Sequence, residues 1–234
     1  MNKKVLAFDF GASSGRAMLA NFDGKKIQLE EVHRFSNEAV SVNGVYYWDF
    51  LRLLHEIKTG ILNAVNRGGF DAVGFDTWGV DYGILSKNGQ IYANPYHYRD
   101  RRNDGMMEKA FETVERPEFY KRTGIQFMKF NTIFQLLADR NEDPEKLERA
   151  DKILFMPDLF AYLISGAVSA EYTIASTSQM LNPETGDWDT DLIGRLGVPL
   201  SVLPKIVNPG TIKGNIKADI CEELGCDSVP VIAV

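Results

Sequence analysis

Two cysteines and three histidines are all that the 234 residues provide. Cys221 and Cys226 stand in Cys-Glu-Glu-Leu-Gly-Cys, and a zinc site would need two more ligands. His33, His55 and His97 are scattered along the chain, so they assemble neither a metal set nor a Ser/His/Asp or Cys/His triad. Two thiols with no wider framework suit a reducing cytosol. No apolar run approaches the roughly 20 residues of a membrane span. Asp9 interrupts the apolar opening at residues 5–8, which is too short for a secretory segment. An excess of positive charge is also missing: 26 Lys and Arg stand against 32 Asp and Glu, a net charge of −6. That balance lacks the electrostatic footprint of a general nucleic-acid binder. Internal repeats, low-complexity tracts and a Gly-Lys-Ser/Thr phosphate loop are absent too. The expectation is a cytoplasmic protein with neither nucleic acid nor membrane as partner.

What is present is an ordinary globular mix, 44% hydrophobic and 25% charged, long enough for one large domain or two small ones. Residues 5–10 form a short apolar run that reads as a buried strand. A Gly/Ser turn at 11–15 leads to a second strand over 16–22. Asp23-Gly24 signals a hairpin into a third strand over 27–35. A helix over 48–65 carries an apolar stripe through Phe50, Leu51, Leu54, Ile57, Ile61 and Leu62, and Gly68-Gly69 ends it. Residues 71–77 read as a strand, and 82–91 as a hairpin around Asn88-Gly89. The region 104–164 is mostly helical, an insertion forming one wall of a cleft with no core of its own. Residues 203–214 read as loop and 216–224 as a short helix. The run from Val229 to Val234 reads as a buried strand that leaves an open edge. Meander, helix and strand together define an α/β layer arrangement with a mixed sheet.

Three segments could carry chemistry. Asp9-Phe10-Gly11-Ala12-Ser13-Ser14-Gly15-Arg16 puts a carboxylate at a strand end beside small residues whose N–H groups and hydroxyls can wrap an anion. Asp9 there could hold magnesium facing the same phosphates; a plain polar hairpin turn is the other reading. Asp76-Thr77-Trp78-Gly79-Val80-Asp81 sits at a strand's carboxyl end, where ligands of α/β sheets gather. Its carboxylates, Asp76 and Asp81, can accept sugar hydroxyls, and its indole suits the C–H face of a sugar; a Trp capping the core is the alternative. Tyr98-Arg99-Asp100-Arg101-Arg102 offers a donor fork and an acceptor beside such a polyol site, or is a solvated loop.

In order along the chain, these segments resemble the N-terminal half of the FGGY family of carbohydrate kinases, and above all its L-rhamnulose-phosphorylating branch. Gly124-Ile125-Gln126-Phe127, Phe130-Asn131-Thr132, Met156-Pro157-Asp158 and Glu171-Tyr172-Thr173 match as well. The resemblance implies an actin-like, ribonuclease-H-like domain with a mixed five-stranded-type sheet over residues 1–234. It implies ATP-dependent phosphorylation of a ketose at its 1-hydroxyl, with magnesium. Gly11 to Arg16 would meet the ATP phosphates and Asp9 the metal. Gly79 would line the ketose site, with Trp78, Arg99 and Phe130 as walls. The family's general-base Asp lies in a His-Asp-Thr segment just past the strand that resembles Val229 to Val234, so it is expected just after Val234. The expectation is therefore a chain without its catalytic base and without its second, nucleotide-binding domain, inactive by itself. An L-fuculose or other ketose or polyol kinase, or a non-catalytic sugar-binding or regulatory protein, are the alternatives.

Overall fold

The computed structural model describes residues 2–234. Period-two alternation sets one row of side chains on each side of a sheet. Strand β1 (Lys3–Phe10) turns Leu6, Phe8 and Phe10 inward, and β2 (Ser14–Phe22) turns Ala17 and Leu19 to the same side. With β3 (Ile27–Ser36) they make the expected antiparallel meander. A second hairpin, β4 (Ala39–Val42) and β5 (Val45–Trp48), turns at Asn43-Gly44, both at positive φ (52° and 83°). It is missing from the expected elements, although Asn-Gly is the strongest short hairpin signal.

Helix α1 (Phe50–Val65) begins where the Asp49 side chain accepts the Arg52 N–H. Its buried stripe is Phe50, Leu53, Ile57, Ile61 and Ala64, while Leu51 and Leu62 face solvent. The expected stripe is thus turned around the helix axis, and Gly60 supplies the reason. A Cβ at Gly60 would come within 2.6 Å of the Phe8 ring, so this smallest residue marks where the helix meets the sheet most closely.

The chain continues through β6 (Ala72–Thr77), β7 (Tyr82–Ser86), α2 (Met106–Thr113), α3 (Arg116–Thr123), α4 (Thr132–Glu142) and α5 (Lys146–Arg149). Strand β8 (Ala150–Phe155) and α6 (Met156–Ser165) follow, then the short β9 (Ala170–Glu171), α7 (Tyr172–Ser176), β10 (Leu181–Asn182) and β11 (Asp187–Trp188). The last elements are α8 (Thr190–Arg195), β12 (Ile206–Val207), β13 (Ile212–Asn215), α9 (Ala218–Leu224) and β14 (Pro230–Ile232). The main sheet has six strands in the order β13-β14-β6-β1-β2-β3, with β1, β6 and β14 parallel and the rest antiparallel.

Three expectations about the sheet are corrected here. It has a sixth strand, because the stretch over 203–214 read as loop ends in β13. Strand β14 therefore lies inside the sheet and leaves no open edge. Pro, Gly and Asn hid β13, and what holds it is long-range: the buried Lys213 ammonium pairs with Asp158 on α6 and donates to the Ser169 carbonyl at 3.1 Å. The last strand is also shorter than expected, since its pairing covers Pro230–Ile232 and does not run on to Val234. The reason lies in the next backbone groups. Ala233 donates its N–H to Thr211 O at 2.9 Å and accepts the Gly210 N–H at 2.8 Å, so the chain there follows the turn before β13. Val234 is half exposed and lays Cγ2 over Gly74, where a Cβ would come within 2.6 Å of it.

The helical block does have an apolar cluster of its own. One cluster lies between the sheet and α1, α6 and α9, around Phe8, Phe10, Phe75 and Phe160. A second gathers Phe119, Ile133, Phe134, Phe155 and Leu192. The β7–β8 ribbon joins them by its alternation. Tyr82, Ile84, Ile153 and Phe155 enter the second cluster, while Leu85 and Leu154 enter the first. The link between β6 and β7 consequently sits where the two cores meet.

Candidate functional site

Registration of three strands brings the first group together. Asp9 on β1 lies opposite Arg16 on β2 and beside Asp76 on β6. The Arg16 guanidinium donates to Asp9 Oδ2 from Nε at 2.8 Å and from Nη2 at 2.7 Å. Burial and the neighbouring Asp9 charge both hold the Asp76 carboxyl above the usual carboxylate range. Two adjacent carboxylates that repel one another suit a divalent cation, since Mg²⁺ is commonly held by one or two carboxylates plus phosphate oxygens and water. Among the described residues no group of three acidic, His or Cys side chains could enclose a metal by itself.

The turn after β1 is closed by the Gly11 N–H donating to Ser14 O at 2.9 Å. Asn37 clamps it from β3's end, donating its N–H to Ser13 O at 2.9 Å and its amide to Gly11 O at 2.8 Å. The exposed amides of Ala12 and Ser13 have no acceptor among the described residues. They are free to receive an anion. Gly15 has a different task. A Cβ there would lie 2.3 Å from two ring carbons of Phe35, on the covered face of the sheet and away from the open turn. Gly15→Val should therefore overpack the core, costing about 1–3 kcal/mol. A wild-type melting temperature in this variant would show that Phe35 yields freely.

The second group surrounds an open cavity of about 530 Å³ at the carboxyl end of β6. Asp81 N–H donates to Gly79 O at 2.9 Å, closing a three-residue turn in which Val80 has φ of 69°. A β-branched residue in that region is strained, and strain of this kind gathers at functional sites. Thr177 Oγ1 accepts the Val80 N–H at 3.1 Å and Thr132 donates to its carbonyl at 2.7 Å. Trp78, Gly79 and Phe130 line the cavity as expected, joined by Tyr98, Asn131 and Thr177. Arg99 is exposed and stays at the edge, its guanidinium 5.3 Å from the Tyr98 ring centroid. Val234 does not line this cavity, and its aliphatic side chain offers neither acid nor base.

Asp81 and Asp100 are buried outside the cavity wall, which corrects their expected role as sugar acceptors. Asp76 belongs with Asp9, its neighbour across β1 and β6. Asp81 is 1% exposed. Its Oδ2 accepts from Trp48 Nε1 at 2.6 Å, Trp78 Nε1 at 3.0 Å and the Tyr98 N–H at 3.2 Å, and Oδ1 accepts from Gln135 at 2.8 Å. The two indoles lie 3.8 Å apart between centroids. Asp100 is also buried and accepts the N–H groups of Tyr46 and Arg102. Asp81 and Asp100 are structural struts because more than enough backbone and indole donors surround them.

Burial pushes the Asp81 carboxyl up to about 7, although its donors pull the other way. The unfolded chain would release that proton in the ordinary carboxylate range. Between these limits the native state holds more protons, so this group's contribution to stability falls as pH rises through the window. Wild type should lose more stability than Asp81→Asn between about pH 5 and about pH 8. Identical losses in paired thermal melts would show that Asp81 does not titrate there.

Ser176 and Thr177 are site residues that the motifs above omit. Their signal is the hydroxyl-rich run after Glu171, whose carboxylate caps α7 by accepting the Thr173 and Ile174 N–H groups. No helix among the described residues is long and apolar enough to cross a membrane.

The architecture and this pair of adjoining sites define an actin-like, ribonuclease-H-like α/β domain built on the plan of sugar kinases. The sequence profile of the "FGGY family of carbohydrate kinases, N-terminal domain" matches residues 4–234, and the chain belongs to that family. A rhamnulokinase of Oceanobacillus iheyensis is 42% identical over 228 residues, covering 97% of this chain and 48% of the relative. The rhamnulokinase of Bacteroides thetaiotaomicron is 39% identical over 100% of this chain and 48% of its own. The chain thus spans about half the length of the curated relatives it matches. The crystal structure of ligand-bound xylulose kinase from Lactobacillus acidophilus superposes with a TM-score of 0.86 at 20% identity, covering 98% of this chain and 47% of that one. Plasmodium falciparum glycerol kinase with ADP gives 0.84 at 16% identity, covering 99% and 48%.

Proposed function

We propose that these residues form the sugar-facing half of an ATP-dependent kinase that phosphorylates L-rhamnulose at its 1-hydroxyl. The observation that carries this reading is the cavity at the end of β6, walled by Trp78, Gly79, Tyr98, Phe130 and the Thr177 region. It stands one strand over from the open turn after β1. A polyol needs an aromatic face and hydroxyl or amide partners, and this wall has both. The two close relatives that carry the name rhamnulokinase favour this ketose.

In the proposed reaction the free amides at Ala12 and Ser13 receive ATP phosphate oxygens, and Arg16 neutralises charge from the strand behind. Asp9 and Asp76 would hold Mg²⁺, which supplies charge neutralisation on the transferring phosphate. Phosphoryl transfer asks chiefly for positioning and electrostatic stabilisation. The cavity wall contains no carboxylate, histidine or lysine. The base that accepts the hydroxyl proton is proposed to come from outside the cavity wall, in keeping with a chain that spans about half the length of its curated relatives.

Gly79→Leu in the two-domain protein tests the cavity. A Cβ at Gly79 already lies 3.1–3.3 Å from the Thr177 side chain, so the longer side chain must grow into the open space. KM for the ketose should rise about tenfold or more with KM for ATP little changed. An unaltered ketose KM would take Gly79 out of the site.

A further inference from the structure

A second cavity, of about 390 Å³, opens between α2 and α4 and shares no residue with the sites above. Its floor is apolar, made by the buried Met106, Ala110 and Leu196. Its rim carries Lys109, Thr113, Arg140 and Asn141, and no carboxylate lines it.

Several acidic side chains around α4 and α5 are paired with other cations, while Glu108 and Glu112 on α2 and Glu148 on α5 do not line the cavity. Asp143 and Glu145 pair with Arg149, Asp139 with Arg102 and Lys146, and Glu118 with Arg122 and Arg195. Lys109 and Arg140, by contrast, have only neutral partners among the described residues. Lys109 donates to Asn141 Oδ1 at 2.8 Å, and Arg140 to the Leu196 carbonyl at 3.3 Å. The Arg140 guanidinium also lies against Gly197, where a Cβ would meet it at 2.5 Å. Positive φ of 75° and this contact both favour glycine at that position. Gly197 thus leaves room for the guanidinium at the rim of the cavity. In a chain of net charge −6, two cations without an ion-pair partner among the described residues over one carboxylate-free hollow are an anion's complement.

The geometry points to a binding site for a small phosphate monoester, distinct from the kinase centre and independent of the kinase reading. Two unit positive charges match a phosphate dianion, and the guanidinium fork suits its oxygens. Thr113 Oγ and the Asn141 amide add neutral donors. The organic part of the ligand rests on Met106 and Leu196.

The test is titration of the isotope-labelled chain with phenyl phosphate, following backbone amides, with calorimetry for affinity. Saturable shifts are expected in α2, at the end of α4 and at residues 196–197. Lys109→Met and Arg140→Gln should each weaken binding about tenfold or more, the loss of one charge-assisted contact. Phenol and acetate should bind far more weakly than the phosphate monoester. Lys109 is exposed, so its variant keeps the test valid even if Arg140→Gln melts early. Absence of saturable shifts, shifts confined to the Gly11–Arg16 turn, or unchanged affinity in Lys109→Met would overturn the assignment.

Discussion

Asp81→Ala should lower the unfolding free energy by about 3–5 kcal/mol, the scale of a broken buried charged network. Four donors converge on this one carboxylate: two indoles, one backbone amide and the Gln135 side chain. Trp48 and Gln135 are fully enclosed, so their donors have no water in reach once the carboxylate goes, whereas Trp78 and Tyr98 border the open cavity. Each orphaned buried donor costs about 1–3 kcal/mol. Asp81→Asn keeps one acceptor oxygen, so it should cost clearly less. Equilibrium urea unfolding of the three proteins measures the order. A loss below about 1 kcal/mol for the alanine variant would mean that the indoles and Gln135 find other partners. Trp78 would then lose its fixed position at the cavity wall.

Asp9→Asn should leave the fold nearly intact and lower kcat of the two-domain protein on the order of 10²–10³-fold. The fold tolerates the change because Asp9 is about half exposed and its ion pair with Arg16 is a surface one, worth at most about 1 kcal/mol. The chemistry would not, since on the proposed reading the adjacent Asp9 and Asp76 would hold Mg²⁺. Removing the Asp9 charge also lets the Asp76 carboxyl fall back toward its usual range, because that charge helps to hold it up. KM for the ketose should hardly change. Steady-state kinetics with varied Mg²⁺ reads this directly. A kcat within a few-fold of wild type would remove Asp9 from the metal's keeping.

Much of this arrangement is legible in the residues. The meander, the position of β6 and the helices of residues 104–164 follow from local periodicity and turn chemistry, and the structure keeps them. The short β13 was not legible, because its support is the Lys213–Asp158 pair, whose members stand far apart in the chain. For the same reason the apolar run to Val234 overstated β14: the turn at residues 210–211 that takes up Ala233 comes with β13. The stripe of α1 was misplaced because hydrophobicity alone ignores Gly60, which lets the helix touch Phe8. At the candidate site, Trp78, Gly79 and Phe130 stand in motifs legible in the sequence, and all three line the cavity. Asp81 was misassigned for a physical reason: a carboxylate beside a tryptophan in a motif looks the same whether it faces a sugar or an indole N–H. Only the fold shows that two tryptophans and Gln135 surround it. Gly15 also has a packing duty that its motif does not show, since a Cβ there would meet the Phe35 ring on the covered face.

The central claim is that this chain supplies the ketose site of a kinase selective for L-rhamnulose. ATP-to-ADP turnover by the two-domain protein tests it most directly, with L-rhamnulose, L-fuculose, L-ribulose, D-xylulose and glycerol compared by kcat/KM. A preference for L-rhamnulose of about tenfold or more is expected, corresponding to about 1.4 kcal/mol of differential transition-state binding. Equal or better turnover of another substrate in that set, or no turnover of any of them, would contradict it.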